Sequence, residues 1–139
     1  MLDRAALELA ADQLDAPTRQ LLERTAARIR TFATAQRGAL SALDVAVPGG
    51  RAGHEIVPIE SAGCYAPGGR YPLPSSVLMT AVTARAAGVR RVVVASPNPS
   101  PIVVAAAAIA GADSLLTVGG AQAIAALAHG VKGLSDAVD

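Results

Sequence analysis

Large side chains are scarce in this sequence. Its 139 residues include no tryptophan, one phenylalanine (Phe32) and two tyrosines (Tyr65 and Tyr71), set against 32 alanines. A core so poor in bulky groups has to come from closely approaching helices, and a chain of this length buries only a modest share of its surface. An excess of one charge is lacking too: 12 basic and 11 acidic residues leave a formal net charge of +1. Together with the missing basic-aromatic runs, this gives no footprint for a nucleic-acid partner. Cys64 is the single cysteine, which excludes an intramolecular disulfide and suits a reducing compartment. The N-terminal residues Met1-Leu-Asp-Arg-Ala5 lack the basic-then-apolar order of an export signal. The most apolar stretch, 92–128, is interrupted by Pro97, Pro99, Pro101, Gly111, Asp113 and the Gly119-Gly120 pair, and its long pieces are mostly alanine. That is too weak a driving force to span a bilayer. With 52% hydrophobic and 17% charged residues, disorder is excluded as well. A cytoplasmic protein with no membrane partner is expected.

Periodicity supplies the organisation. Leu2, Ala6, Leu9, Ala10 and Leu14 recur at helical spacing, and Asp15-Ala-Pro17 breaks the run. Asp15 suits the cap of a second helix, 17–36, with Pro17 tolerated in its first turn and Gly38 as a stop. The two make a helical hairpin over 1–40. From Leu43 the period becomes two: Leu43, Val45 and Val47 alternate with Asp44 and Ala46, residues 48–53 turn, and 54–60 returns as a second strand. Residues 41–64 therefore read as a β-hairpin or arm. Beyond Tyr65 a helix over 75–87 ends at Gly88, and a β-branched run over 90–95 has the pattern of a buried parallel strand. A helix over 101–110, a strand over 114–118 and a helix opening at Gly119-Gly120 follow. The expected fold is α/β: a helical hairpin and β-arm, then an incomplete Rossmann-like parallel βαβ sheet over 65–139, in one compact domain.

In such a sheet, ligands collect at the carboxyl ends of the strands. Two segments fall there: residues 65–76, rich in glycine and proline and ending at Ser75 and Ser76, and Val118-Gly-Gly-Ala-Gln122. Backbone N–H groups at such loops suit a phosphate or sugar, and Gln122 offers both donor and acceptor. Ordinary turn chemistry explains the same glycines, and neither the G-x-G-x-x-G fingerprint nor the Walker pattern is present. Tyr65 is equally readable as a core aromatic, and Arg70 as a solvated loop cation. His54 and His129 stand far apart without ligand spacing. Cys64 has no identifiable base, and Glu60 and Asp113 are single carboxylates without a visible partner. The residues alone give no catalytic set and no metal site.

The same segments resemble the histidinol dehydrogenase family, which depends on zinc and NAD and oxidises L-histidinol to L-histidine, the end of histidine biosynthesis. Pro58-Ile-Glu-Ser-Ala-Gly-Cys-Tyr-Ala-Pro-Gly-Gly69 is similar to the family's P-I-E-x-x-G-x-Y-x-P-G-G segment. Pro72-Leu-Pro-Ser-Ser-Val-Leu-Met79 is similar to its P-L-P-S-x-V-L-M helix start, and 118–128 to its V-G-G-A-Q-A-I-A-A-L segment. Arg30-Thr-Phe-Ala-Thr-Ala-Gln36 also resembles the stretch before the family's β-arm.

The resemblance covers essentially all of this chain but only the N-terminal third or so of a family member. It implies that Tyr65 and Gln122 contact NAD. It also implies that the zinc ligands and the catalytic Glu-His pair lie downstream of the family's G-P-G-N segment, which these residues do not reach. Cys64 stands where a larger aliphatic residue is usual. The expected protein is thus an NAD-facing portion of the oxidoreductase, inactive alone or completed by a separately encoded C-terminal subunit. Two alternatives stay open: a non-catalytic nucleotide-binding module, and a small enzyme repurposed for another substrate through Cys64, Arg70 and Tyr71. Homo-oligomerisation is expected under all three, because alanine-rich faces leave apolar surface to cover.

Overall fold

The computed structural model describes residues 1–69 and 71–139; Arg70, singled out above, lies outside them. In chain order the elements are β1 (Leu2–Asp3), α1 (Arg4–Asp12), α2 (Ala16–Gly38), β2 (Leu43–Val47), β3 (Gly50–His54) and β4 (Ser61–Tyr65). A helical stretch follows, made of α3 (Pro74–Val77), a π-helical turn (Leu78–Val82) and α4 (Thr83–Ala87). Then come β5 (Arg91–Ala95), α5 (Pro101–Ala110), β6 (Ser114–Leu116) and α6 (Gly120–His129). The main sheet runs β1-β6-β5-β4, with β4, β5 and β6 parallel and β1 antiparallel on β6. This is the expected α/β fold.

Caps set the helix ends. Asp3 and Asp15 each accept a hydrogen bond from the backbone three residues on, Ala6 N–H and Thr18 N–H, both at 2.9 Å, satisfying donors that a helix start leaves orphaned. Gly88 and Gly111 close α4 and α5 in the left-handed conformation (φ +99° and +86°), where a Cβ would be strained.

One face of the sheet carries most of the core. Val92, Val94, Leu115 and Cys64 meet α5, the π turn and α4, with α1 and α2 layered outside. Every α5 residue from Val103 to Ala108 is buried. Because four of them are alanine, α1 approaches closely and inserts Leu7, which is fully buried; removing such a side chain from water is worth roughly 1.5–3 kcal/mol. The amphipathic hairpin thus rests on the α/β unit through Leu7, Ala11, Leu22 and Ala26. On the opposite face, α6 brings Ala123 and Leu127 to Val93, Ala95 and Leu116. Residues 131–139 complete this side. Val138 packs there, and the Asp139 carboxylate accepts from the N–H groups of Glu60 (2.9 Å) and Ser61 (2.8 Å).

Four local expectations give way. Leu2–Asp3 is not the start of a helix but a two-residue strand, held by pairing with Leu115 and Ser114. The arm's second strand is Gly50–His54 rather than 54–60. Pro48-Gly49 makes a two-residue turn with Gly49 at φ +89°, the type II arrangement, so pairing resumes at once from Val47 to Gly50. Residues 61–64, expected in the arm, instead form with Tyr65 the edge strand of the main sheet alongside β5. The 75–87 helix is interrupted by the π turn. Among the described residues, no helix is long and apolar enough to cross a membrane.

Candidate functional site

The carboxyl ends of β4, β5 and β6 deliver Tyr65, Ser96 and the 117–120 loop to one edge of the sheet. Tyr65 is half-buried, its ring packed beside the Val93–Leu127 cluster. Its Oη accepts a hydrogen bond from Gly120 N–H at 3.2 Å, tying the end of β4 to the first residue of α6. Gly120 has φ +63°, and the Gln122 Oε1 lies 3.0 Å from where a Cβ would stand there. Tyr65 and Gln122, fifty-seven positions apart in sequence, thus converge on one glycine. Gln122 is exposed, with its amide at the helix start.

Beside this point lies a cleft of about 400 Å³, lined by Pro67, Gly68, Gly69, Tyr71, Pro72 and Leu73 from one loop and by Ser96–Ser100 and Val103 from another. Among the described residues its polar groups, Tyr71, Ser96, Asn98 and Ser100, are uncharged and offer hydrogen bonds. Ser100 Oγ is buried and has no hydrogen-bond partner among the described residues, although Ser100 stands at the N-cap of α5. Asn98 holds φ +44°, the one positive-φ non-glycine residue among those described. The Ser96-Pro-Asn-Pro-Ser-Pro101 loop escaped the sequence reading. Its signal was available, since alternating prolines directly follow a buried strand.

The two glycines of 119–120 play different parts. A Cβ on Gly119 would stand 2.5 Å from Pro97 Cβ, and one on Gly68 would stand 2.6 Å from Pro97 Cγ. The room at these glycines is therefore taken by protein, not left for a ligand. Gly120 is exposed, and only the flexible Gln122 amide approaches it. An open glycine flanked by a phenol and a carboxamide suits the hydroxyls and amide of a dinucleotide, and in that respect the residues fit NAD. Ser75 is exposed and Ser76 half-buried at the start of the 74–87 stretch; α3 has no side-chain cap.

The remaining candidates stand elsewhere. Cys64 is buried, and burial pushes its thiol up, with a smaller opposing effect from the Thr80 hydroxyl; a thiol so placed is a poor nucleophile. His54 lies on the arm, its Nε2 3.2 Å from the Ser41 carbonyl, and His129 is exposed at the end of α6. The two carboxylates read as single do have partners: Glu60 pairs with Arg90 at 2.9 Å, and Asp113 with Arg85 at 2.6 Å. Both pairs sit at the amino ends of the strands, away from the cleft. Among the described residues, no three His, Cys, Asp or Glu side chains gather where a metal could be held.

Comparison with known proteins decides the family. The family model described as Histidinol dehydrogenase matches residues 1–139. The chain belongs to the histidinol dehydrogenase family. It is 44% identical over 136 residues to the histidinol dehydrogenase of Pseudomonas putida, covering 95% of this chain and 31% of that protein. To "Histidinol dehydrogenase homolog 1" of Mesorhizobium japonicum it is 42% identical over 136 residues, covering 94% of this chain and 27% of that one. The crystal structure of histidinol dehydrogenase from Elizabethkingia anophelis superposes with a TM-score of 0.80 at 28% identity, covering 94% of this chain and 31% of that one. The chain spans about three tenths of the length of the curated relatives it matches.

Proposed function

We propose that residues 1–139 are the NAD-facing portion of a histidinol dehydrogenase, and that Tyr65 and Gln122 hold the cofactor. The observation that carries this reading is the convergence of both side chains on Gly120, at the carboxyl ends of parallel strands. NAD, when bound, supplies the hydride acceptor for oxidation of L-histidinol to L-histidine. The protein's part is to hold and orient it: Tyr65 through its phenol, Gln122 through its carboxamide, and the α6 N-terminus through its dipole. The zinc of the family does not fit here. Such a site needs several His, carboxylate or amide ligands in one shell, and His54 and His129 stand on different elements, one on the arm and one at the end of α6.

Alcohol oxidation also needs a positioned base, and none of the carboxylates or histidines lines the cleft. A polypeptide of residues 1–139 therefore binds NAD without turning over histidinol, and zinc and the base have to come from outside these residues. The setting is the cytoplasm. Self-association is part of the same reading, because Phe32, Val57 and the Leu43-Val45-Val47 stripe are all exposed; sedimentation velocity showing only monomer refutes that part. Calorimetric titration with NAD tests the main claim: heat from the wild-type protein that is lost in Tyr65→Ala and Gln122→Ala supports it, and no heat overturns it. Robust turnover of histidinol with added zinc and NAD overturns the inactivity.

A further inference from the structure

We propose that Pro97 is the positioning residue of the cofactor site, a rigid spacer that sets the distance between the Tyr65 loop and the α6 N-terminus. The proposal rests on the reading that Tyr65 and Gln122 face NAD.

The Pro97 ring is wedged between two glycines from loops far apart in sequence. A Cβ on Gly68 would lie 2.6 Å from its Cγ and 2.7 Å from its carbonyl oxygen, and a Cβ on Gly119 would lie 2.5 Å from its Cβ and 2.7 Å from its Cγ. Distances below 3 Å mean that the backbones at 68 and 119 already touch the ring, leaving no room for a methyl group. Gly119 has φ −132°, which any residue adopts, so the ring and not the backbone requires glycine there. Pro97 itself has little freedom. Its ring fixes φ, and the preceding Ser96 is buried, its N–H donating to the Leu116 carbonyl at 3.0 Å. Next to it, Ala66 N–H donates to the Ala95 carbonyl at 2.8 Å, fixing the start of the other loop. The wedge is thus anchored to the ends of the strands, and the Gly120 N–H to Tyr65 Oη bond closes across it.

The consequence is preorganisation. A side chain without rotamers holds two loops at one separation, so a ligand bridging Tyr65 and Gln122 need not order them. Neither residue is altered when the spacer is removed, yet the site loosens. Pro97 touches the loops that carry the binding groups, so its role is positioning rather than catalysis.

The test is a complementary exchange in the full 139-residue chain. Pro97→Gly removes the ring. Gly119→Ala inserts a methyl that the ring excludes. The double variant places the methyl in the vacated space. NAD affinity by calorimetry is expected to fall on the order of tenfold or more in each single variant and to recover partly in the double. Hydrogen exchange at the Gly120 amide gives a readout without ligand: faster exchange is expected in Pro97→Gly, as in Tyr65→Phe, with partial protection regained in the double variant. Single variants that bind NAD as the wild type does overturn the proposal, and so does a double variant no better than the worse single. If the wild type itself binds no NAD, the function proposed above is overturned. Gly120 exchange then judges the spacer alone, and equal rates in wild type and Pro97→Gly refute it.

Discussion

Asp113→Ala tests whether the amino end of the sheet is held by one carboxylate. The Asp113 Oδ2 accepts from Arg85 Nη2 at 2.6 Å and from the Val92 N–H at 2.7 Å, while Asp113 N–H donates to the Val92 carbonyl at 2.8 Å. Arg85 also donates through Nε to the Gly111 carbonyl at 2.8 Å and through Nη1 to the Val89 carbonyl at 3.2 Å, so the group links α4, the end of α5 and β5. Losing a hydrogen bond to a charged group costs roughly 1.5–3 kcal/mol, and stranding a buried N–H costs about 1–3 kcal/mol. Val92 is fully buried with the carboxylate in place, so its N–H loses its side-chain partner when Asp113 is truncated. The Asp113 side chain is 45% exposed, which discounts the ionic part. The two costs overlap in one atom, and the expected total is ~3 kcal/mol. For a chain of this size that lowers Tm by roughly 10 °C. The internal control is Asp44→Ala, which removes the exposed Arg51 pair on the arm and is expected to cost about 0–1 kcal/mol. Urea denaturation of the two variants side by side is the assay. An Asp113→Ala midpoint indistinguishable from that of Asp44→Ala refutes the reasoning, because exposure-weighted ion pairing would then account for both.

Other perturbations follow from the same structure. Leu7→Ala empties the contact between α1 and α5 and is expected to cost about 3 kcal/mol by thermal or urea unfolding; a change under about 1 kcal/mol would mean that α1 contributes little to the core. Gly53→Ala places a Cβ 2.0 Å from the Leu43 carbonyl oxygen, so amide protection over 43–54 is expected to disappear. The global Tm should stay unchanged, since both arm strands are exposed throughout; unaltered arm protection counts against the pairing register. Asp15 is held below the usual carboxylate range by the Thr18 N–H, and Asp139 by the N–H of Ser61 and then that of Glu60. A depressed folded-state pKa contributes stability that is present above the unfolded value of about 3.8–3.9 and lost as pH falls through the folded value. The urea midpoint is therefore expected to drop more between pH 5 and about pH 2 in the wild type than in Asp15→Asn/Asp139→Asn; parallel drops refute it.

What could be read from the residues, and what could not, divides along a physical line. The 90–95 run and the alanine-rich helix ending at Gly111 were legible because burial on all sides leaves an uninterrupted apolar signature. Asp15 as a cap was legible because capping is local in sequence. Leu2–Asp3 was not, since two residues carry no period and only the partner β6 makes them a strand. Ser61-Ala-Gly-Cys-Tyr65 has little strand propensity of its own, and its place follows from pairing with β5. At the candidate site the Gly-Gly and Pro-Gly-Gly loops drew attention to Tyr65 and Gln122. Pro97 stayed hidden because its contacts join positions 68, 97 and 119, a closeness that no local spacing encodes.

The unequal enclosure of the two helices after β5 has a mechanical consequence. α5 is gripped on every side, with seven of its ten residues buried, whereas α6 buries only Ala123 and Leu127. The first is built into the core, whereas the second rests on the sheet through two side chains. Where Gln122 stands is therefore set by few contacts: Ala123 and Leu127 against the sheet, and the Gly119 backbone against the Pro97 ring.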